Sequence, residues 1–295
     1  MTKTDELLQK FQNINVWRRR AERAPHKPLL VLLALGRLQA AKPRLVSFDQ
    51  IEDQLSKLLE EFGPPRKSLH PELPFFHLTT DGLWEIEEGF PLQIRRGSKN
   101  PLRSELRKFR IAGGFPESIF AILHSRPEAV RALATQILDS HFPESLHQSI
   151  LEAVGLRMES TQRRAQRDSG FRATVISAWG HQCAFCGYSV QLDHADLGLE
   201  AAHILWCQAG GPDTLNNSLA CCSLHHQAFD RGGITVADDH TVLVSSRLFG
   251  SGRFHEAFVS LHHRSLFLPS LRSALPKPAF LNWHRTQVFR GQARD

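Results

Sequence analysis

The chain lacks any uninterrupted run of about 18 apolar residues, which excludes a long membrane-spanning helix. Its opening stretch, MTKTDELLQK, lacks the apolar block and small-residue cleavage site of a signal peptide, and so predicts a cytoplasmic protein. Cysteine is scarce. Five in 295 residues, an odd number with two adjacent, make no disulfide framework, and in a reducing compartment they point to metal first. The aromatic residues of the front half form no cluster of the kind that cages or flips a modified base. What is present, 41% hydrophobic residues over this length, suffices for two domains with separate cores.

The formal net charge is +6, and its distribution says more than its total. Between Arg18 and Arg44 there are eight Lys or Arg against the single Glu22, and between Arg95 and Arg110 seven against Glu105. One such run is commonly a solvated face. Two in one half of a chain favour phosphate contacts.

Apolar Leu7, Leu8, Phe11 and Ile14 recur at helical spacing. Pro28 suits the first turn of a helix through LLVLLALGRL, apolar nearly all round and so predicted to be buried. Asp49 with Glu52 reads as a capping box for IEDQLSKLLEEF, which stops at Gly63 and two prolines. PFFHL and LWEI flank Thr79–Gly82 as a predicted β-hairpin. QIRRGSKN (93–100) is a basic loop, and helices follow through SIFAILH, RPEAVRALATQILDSHF and ESLHQSILEAVGL. Helices, a hairpin and basic segments together predict a mostly helical, winged-helix-like domain over residues 1–156. The polar stretch 157–170 is the predicted linker, and 171–295 a second domain, giving an α+β protein.

In the second domain Cys183-x-x-Cys186 and Cys222-x-x-His225 have the spacing of a Cys3His zinc knuckle, whose tetrahedral demand would staple a loop-rich region. Cys221 leaves a one-residue alternative; Cys222 is preferred because Cys-x-x-His repeats the knuckle spacing. Cys207, outside the knuckle spacing, is expected to be a small core residue. ITV and TVLVS flank another predicted hairpin, and LPKPAFLNWHRTQVF a closing helix.

RAPHKPLLVLLALGRL, HPELPFFHLTTDGLWEI, IAGGFPE and HFPESLHQSILEAVGL resemble the sulfur-binding domain of phosphorothioation-dependent restriction endonucleases. LEAAHI, Asn217 and LHHQAFDRGG resemble the HNH, or ββα-metal, nuclease motif that this family joins behind it. The resemblance implies an endonuclease of bacterial defence that binds double-stranded DNA carrying phosphorothioates and hydrolyses phosphodiesters nearby, leaving 3′-hydroxyl and 5′-phosphate ends. It implies a sulfur pocket at His26, Lys27, Pro28, Leu73, Pro74 and His77, with Pro74 at its centre and Lys27 holding the phosphate charge. Arg96, Lys99 and Asn100 would read adjacent bases, and Arg20 and Arg23 would contact DNA.

In the nuclease motif His203 would be the general base, Asn217 would orient it, and His226 would ligate a catalytic Mg²⁺, Mn²⁺ or similar divalent ion. The zinc at the knuckle would be structural. Adjacent helix residues lie about 100° apart, so His225 could face the zinc while His226 faces the substrate. The commonest pattern places Asp or His before the base, where this chain has Ala202; either His226 would hold the ion with waters and DNA phosphate oxygens, or Asp193, Asp196, Glu200 or Asp230 would contribute. One such domain cuts one strand, so double-strand cleavage implies two copies, as in a homodimer, or successive nicks. Two readings stand beside this one: an HNH nuclease directed by another mark or by sequence, and an inactive zinc-containing DNA-binding module.

Overall fold

The computed structural model of the chain describes residues 3–12, 14, 22, 24–87, 100–158 and 169–295. The chain divides into two compact units, Met1–Glu159 and Ser160–Asp295, and mixes helix with strand as an α+β protein. Most of the predicted linker, and Arg20, Arg23, Arg96 and Lys99, lie outside the described residues. No helix among those described is long and apolar enough to cross a membrane.

The front unit runs α1 (Lys3–Gln12), α2 (His26–Gln39), β1 (Val46–Ser47), α3 (Phe48–Phe62), α4 (Glu72–His77), β2 (Glu85–Ile86), α5 (Arg103–Lys108), β3 (Ala112–Gly114), α6 (Glu117–Ser125), α7 (Pro127–His141) and α8 (Glu144–Val154). Helix α2 is the axis of the unit. Pro28 through Gly36 are all buried, and α3, α4, α7 and α8 pack around them. An apolar stripe on every side leaves a helix no stable place but the centre. The three short strands form one antiparallel sheet in the order β1-β3-β2. Gly113 makes that sheet possible, because a Cβ there would lie 2.5 Å from Trp84 Nε1 and 2.9 Å from the Phe75 ring.

Two expectations fail here. PFFHL is not a strand: it forms α4 and a following 3₁₀ turn, Leu78–Asp81, ended by left-handed Gly82. Helical spacing buries Pro74, Phe75 and Leu78 together, and the Thr79 and Thr80 hydroxyls donate to the Phe76 and His77 carbonyls. A short aromatic run fits either period, and burial on one face decided for the helix. The capping box also does not form, since α3 begins at Phe48 with Ser47 before it. Glu52, buried, instead accepts hydrogen bonds from Arg103 and Arg107, fastening α5 to α3. Burial pushes the Glu52 carboxyl up, but the two arginines outweigh it and hold it below the usual range.

The rear unit runs α9 (Ser169–Ala178), β4 (Gln191–Leu192), β5 (Ala195–Asp196), β6 (Leu199–His203), β7 (Ser218–Cys222), α10 (Ser223–Asp230), β8 (Ile234–Val236), β9 (Val242–Val244), α11 (Phe254–Ala257) and α12 (Pro278–Gln287). Strands β6 and β7 are antiparallel from Leu199 opposite Cys222 to His203 opposite Ser218, and α10 leaves directly from Cys222. The result is a ββα unit. Trp179, Phe185, Leu219 and Phe229 lie in its core. His284 of α12 supports α10 from behind: its ring stacks on Phe229 at 3.7 Å and its Nε2 donates to the Phe229 carbonyl at 3.0 Å.

Candidate functional site

In the front unit the start of α2 and the whole of α4 carry the six predicted pocket residues, and these two helices pack together. Pro28 and Pro74 are buried, whereas His26, Lys27, Leu73 and His77 are half-buried. The Lys27 ammonium donates to Asp81 Oδ2 at 2.7 Å, which ties the first turn of α2 to the turn after α4. His77 Nε2 donates to Asn100 Oδ1 at 2.7 Å, joining α4 to the chain just before α5. Asp81 was not foreseen. It sits in a stretch read as a hairpin turn, and only the helical path of 72–81 brings it back to Lys27.

In the rear unit Cys183, Cys186, Cys222 and His225 converge, with one ligand atom from each lying within 4.8 Å of all the others. The knuckle closes through the Gly187 amide, which donates to the Cys183 carbonyl at 2.8 Å, and Gly187 holds the positive φ of 71° that this turn demands. Cys222 Sγ stands 3.1 Å and Cys183 Sγ 3.8 Å from His225 Nδ1. His225 Nε2 donates to the Ala257 carbonyl at 2.9 Å, so Nδ1 is the nitrogen left for a metal. Cys221 is buried outside this cluster, and its burial pushes the thiol up.

Hydrogen bonds from Cys186 and Cys222 pull the Cys183 thiol far below its ordinary range, and the same Cys183 contact pushes Cys186 up. Burial disfavours a charged His225, yet Cys183 and Cys222 lift it to about 10. Three sulfurs and one imidazole, the latter oriented by a backbone carbonyl, are a donor set suited to one tetrahedral cation.

The adjacent His226 turns elsewhere. Its Nδ1 donates to Glu200 Oε2 at 2.5 Å and its Nε2 to Asp230 Oδ2 at 3.1 Å. Burial would depress this imidazole, but Asp230 and then Glu200 raise it to about 10. The His226 hydrogen bond in turn holds the Glu200 carboxyl low. Of the four acids considered to replace a ligand at position 202, these two reach His226, whereas Asp196 pairs with His181 at 2.9 Å and Asp193 is exposed. Ala202 itself is fully buried in the core. Side chains alternate along a strand, so Glu200 and Ala202 share the face of β6 that Glu200 turns toward α10.

His203 ends β6. Its Nε2 donates to Asp213 Oδ1 at 2.7 Å, and its ring stacks on Phe171 at 4.9 Å. Asn217, fully buried, accepts from the Leu205 amide at 2.8 Å and donates to the Leu205 and Pro212 carbonyls at 2.9 and 3.0 Å. The 204–216 loop is thereby closed at its base. Gly211 is required there, because a Cβ would lie 1.8 Å from the Leu205 oxygen. Cys207 is not a core residue as expected. It is exposed at the start of a 3₁₀ turn within this pinned loop, with Sγ 3.5 Å from Asp213 Oδ1. Neither Asp213 nor Phe171 stood out in the sequence. A carboxylate ten residues past a strand end has no periodic signal, and only the Asn217 clasp returns it to His203.

Comparison with known proteins agrees with both halves. The ScoMcrA-like DNA sulfur-binding domain family matches residues 4–159, and the HNH endonuclease family matches residues 183–237. Among solved structures, the chain is similar to the sulfur binding domain of ScoMcrA complexed with phosphorothioated DNA, at 26% identity over 50% of this chain and 94% of that one, with a TM-score of 0.45. It is similar to the Type IV phosphorothioation-dependent restriction endonuclease ScoMcrA at 26% identity, over 50% of this chain and 32% of that one, with a TM-score of 0.42. For the sulfur binding domain of SprMcrA complexed with phosphorothioated DNA the values are 21%, 52%, 95% and 0.44. No curated protein matches. With its front half matched throughout and an HNH segment behind it, the chain belongs to the ScoMcrA-like DNA sulfur-binding domain family.

Proposed function

We propose that the protein is a modification-dependent endonuclease that binds phosphorothioated duplex DNA through its front unit and cuts nearby phosphodiesters with its rear unit. The single observation that carries this reading is the pairing of a DNA sulfur-binding family match over 4–159 with a ββα unit carrying His203, Asn217 and His226.

The front unit is read as a winged helix. Its order from α2 through β1, α3, α4 and β2 to β3, with the sheet arranged β1-β3-β2, supports that. Helix α4 bears Leu73, Pro74 and His77, and Arg96, Lys99 and Asn100 would read base edges beside the modified phosphate. Sulfur is larger and less well hydrated than the oxygen it replaces. A pocket floored by Pro28 and Pro74 therefore costs a phosphorothioate little, whereas a phosphate oxygen there would lose water hydrogen bonds without replacement. Lys27, held by Asp81 at the positive end of α2, supplies charge for the same phosphate.

In the rear unit Cys183, Cys186, Cys222 and His225 would hold structural zinc. His226 and Glu200 would hold the catalytic divalent ion, Mg²⁺ or Mn²⁺, with Asp230 fixing the ring from its buried side. Glu200 thus takes the part that Ala202 cannot, from the same strand face. When bound, such an ion supplies positive charge to the phosphate and the leaving 3′ oxygen. His203, with Nε2 engaged by Asp213 and its ring against Phe171, presents Nδ1 to take a proton from water. Asn217 keeps that geometry by closing the loop that carries Asp213. Double-strand cleavage would require two copies on one site or successive nicks.

The test is incubation of phosphorothioated and unmodified plasmid side by side with Mg²⁺ or Mn²⁺. Cleavage confined to the modified plasmid and lost in His203→Ala is the expected result. Equal cleavage of both plasmids would sink the sulfur reading, and activity surviving His203→Ala would sink the assignment of the base.

A further inference from the structure

We infer that His203, Cys207 and Asp213 form a second metal site, which takes a thiophilic divalent ion such as Zn²⁺ and silences the nuclease when filled. The three side chains offer one nitrogen, one sulfur and one oxygen, all within 4.8 Å of one another. His203 Nε2 and Cys207 Sγ each approach the same Asp213 oxygen, at 2.7 and 3.5 Å. Ligand atoms around a tetrahedral zinc stand about 3.3–3.8 Å apart, so admitting an ion needs the His203–Asp213 contact to open by less than about 1 Å.

The site is built rather than accidental in one respect. Cys207 lies two residues after Leu205 and Asp213 one residue after Pro212, and the buried Asn217 amide clasps both Leu205 and Pro212. The loop closure that sets the base therefore also holds the other two ligands in place. Cys207 and Asp213 are exposed, which gives an ion a path from solvent and leaves its fourth position to water. The donor set selects the ion. Mg²⁺ prefers six oxygens in an octahedron, whereas thiolate with imidazole suits zinc and its neighbours.

Filling the site disarms the base by moving a proton. The Cys207 thiol releases its proton to solvent as the sulfur binds. A neutral His203 keeps one ring proton, carried on Nε2, which donates it to Asp213. With Nε2 on the ion, that proton must sit on Nδ1, the nitrogen that takes the proton from water in the proposed reaction. Zinc binding here does not depend on that reading; its effect on cleavage does.

The experiment uses the full chain already holding one equivalent of zinc at the knuckle. Zn²⁺ is titrated in by calorimetry, and Co²⁺ in parallel, where a sulfur-to-cobalt charge-transfer band reports a thiolate ligand. Wild type should bind a second equivalent. Cys207→Ser should keep the first but bind the second at least about tenfold more weakly, the lower end of the cost of losing even an outer partner of a metal site. Mg²⁺-supported cleavage should be unchanged in Cys207→Ser without added zinc, but no longer suppressed by the second equivalent. One equivalent bound by wild type, or a second bound and inhibiting Cys207→Ser as it does wild type, overturns the inference. A protein that takes the second equivalent through Cys207 yet never cleaves DNA upholds the site and sinks the nuclease reading instead.

Discussion

The two units neutralise buried charge in opposite ways. In the front unit Glu52 meets Arg103 and Arg107, and Lys27 meets Asp81, within the chain. In the rear unit the knuckle gathers three thiols and an imidazole around one point, while His226 stands between two carboxylates. The front unit is complete as a folded polypeptide around α2. The rear unit holds a donor set suited to a metal. Recognition of a polyanion needs a rigid surface, whereas hydrolysis needs charge that can be placed at a reacting phosphate.

The sharpest way to break this contrast is to damage the knuckle. Cys222→Ser should abolish most of a metal-binding contribution of about 10–16 kcal/mol. Calorimetry should show the rear unit's transition lost, with the front unit's retained and metal content down by one equivalent. One shared transition that vanishes altogether would contradict it. Next in size is His203→Ala, which should lower cleavage by about 10²–10⁴-fold, the usual weight of a general base, while leaving affinity for phosphorothioated DNA unchanged.

Protonation separates the units further. The two carboxylates lift His226 to about 10, from about 6.5 when unfolded. A raised value stabilises the fold fully below the unfolded value, and that contribution disappears as pH rises through about 10. A metal bound by His226 would displace this proton, so Mn²⁺ affinity should climb between pH 7 and 10, and less steeply in Asp230→Asn. Flat affinity across that range would exclude His226 as a ligand. In the front unit the sign is reversed. Glu52 is held below its ordinary value, so its stabilisation is present above about pH 4.3 and is lost as pH falls through the depressed value. Glu52→Gln should lower stability by about 1–3 kcal/mol at pH 7, since both arginines are part-exposed, and blunt the acid sensitivity of the front unit's melting.

Lys27→Ala has the smallest effect. It should weaken binding to phosphorothioated duplex and reduce the salt slope by about one, without changing which bases are preferred. An unchanged slope would place Lys27 away from the phosphate.

Much of this was legible from spacing alone. α2 was readable because an all-round apolar helix has nowhere to go but inward, and the β8–β9 hairpin because two apolar, β-branched runs flank a polar turn. The metal knuckle was readable because four ligands at fixed intervals leave little freedom. Helix α4 was not readable. PFFHL fits a strand as well as a helix, and the choice fell to the packing of Phe75 and Leu78 in the core around α2. Glu52 looked like a helix cap because its partners, Arg103 and Arg107, lie more than fifty residues away. The same limit hid Asp213 and narrowed Ala202 only to a choice among four acids. Strand alternation could favour Glu200 over its neighbours, but its contact with His226 required the fold.

Cleavage of phosphorothioated against unmodified plasmid, with wild type and His203→Ala run together under Mg²⁺ or Mn²⁺, tests the central claim most directly. Cutting of the modified plasmid alone, by the wild type alone, is the predicted result. Cutting of both plasmids, or of the modified one by both proteins, would contradict it.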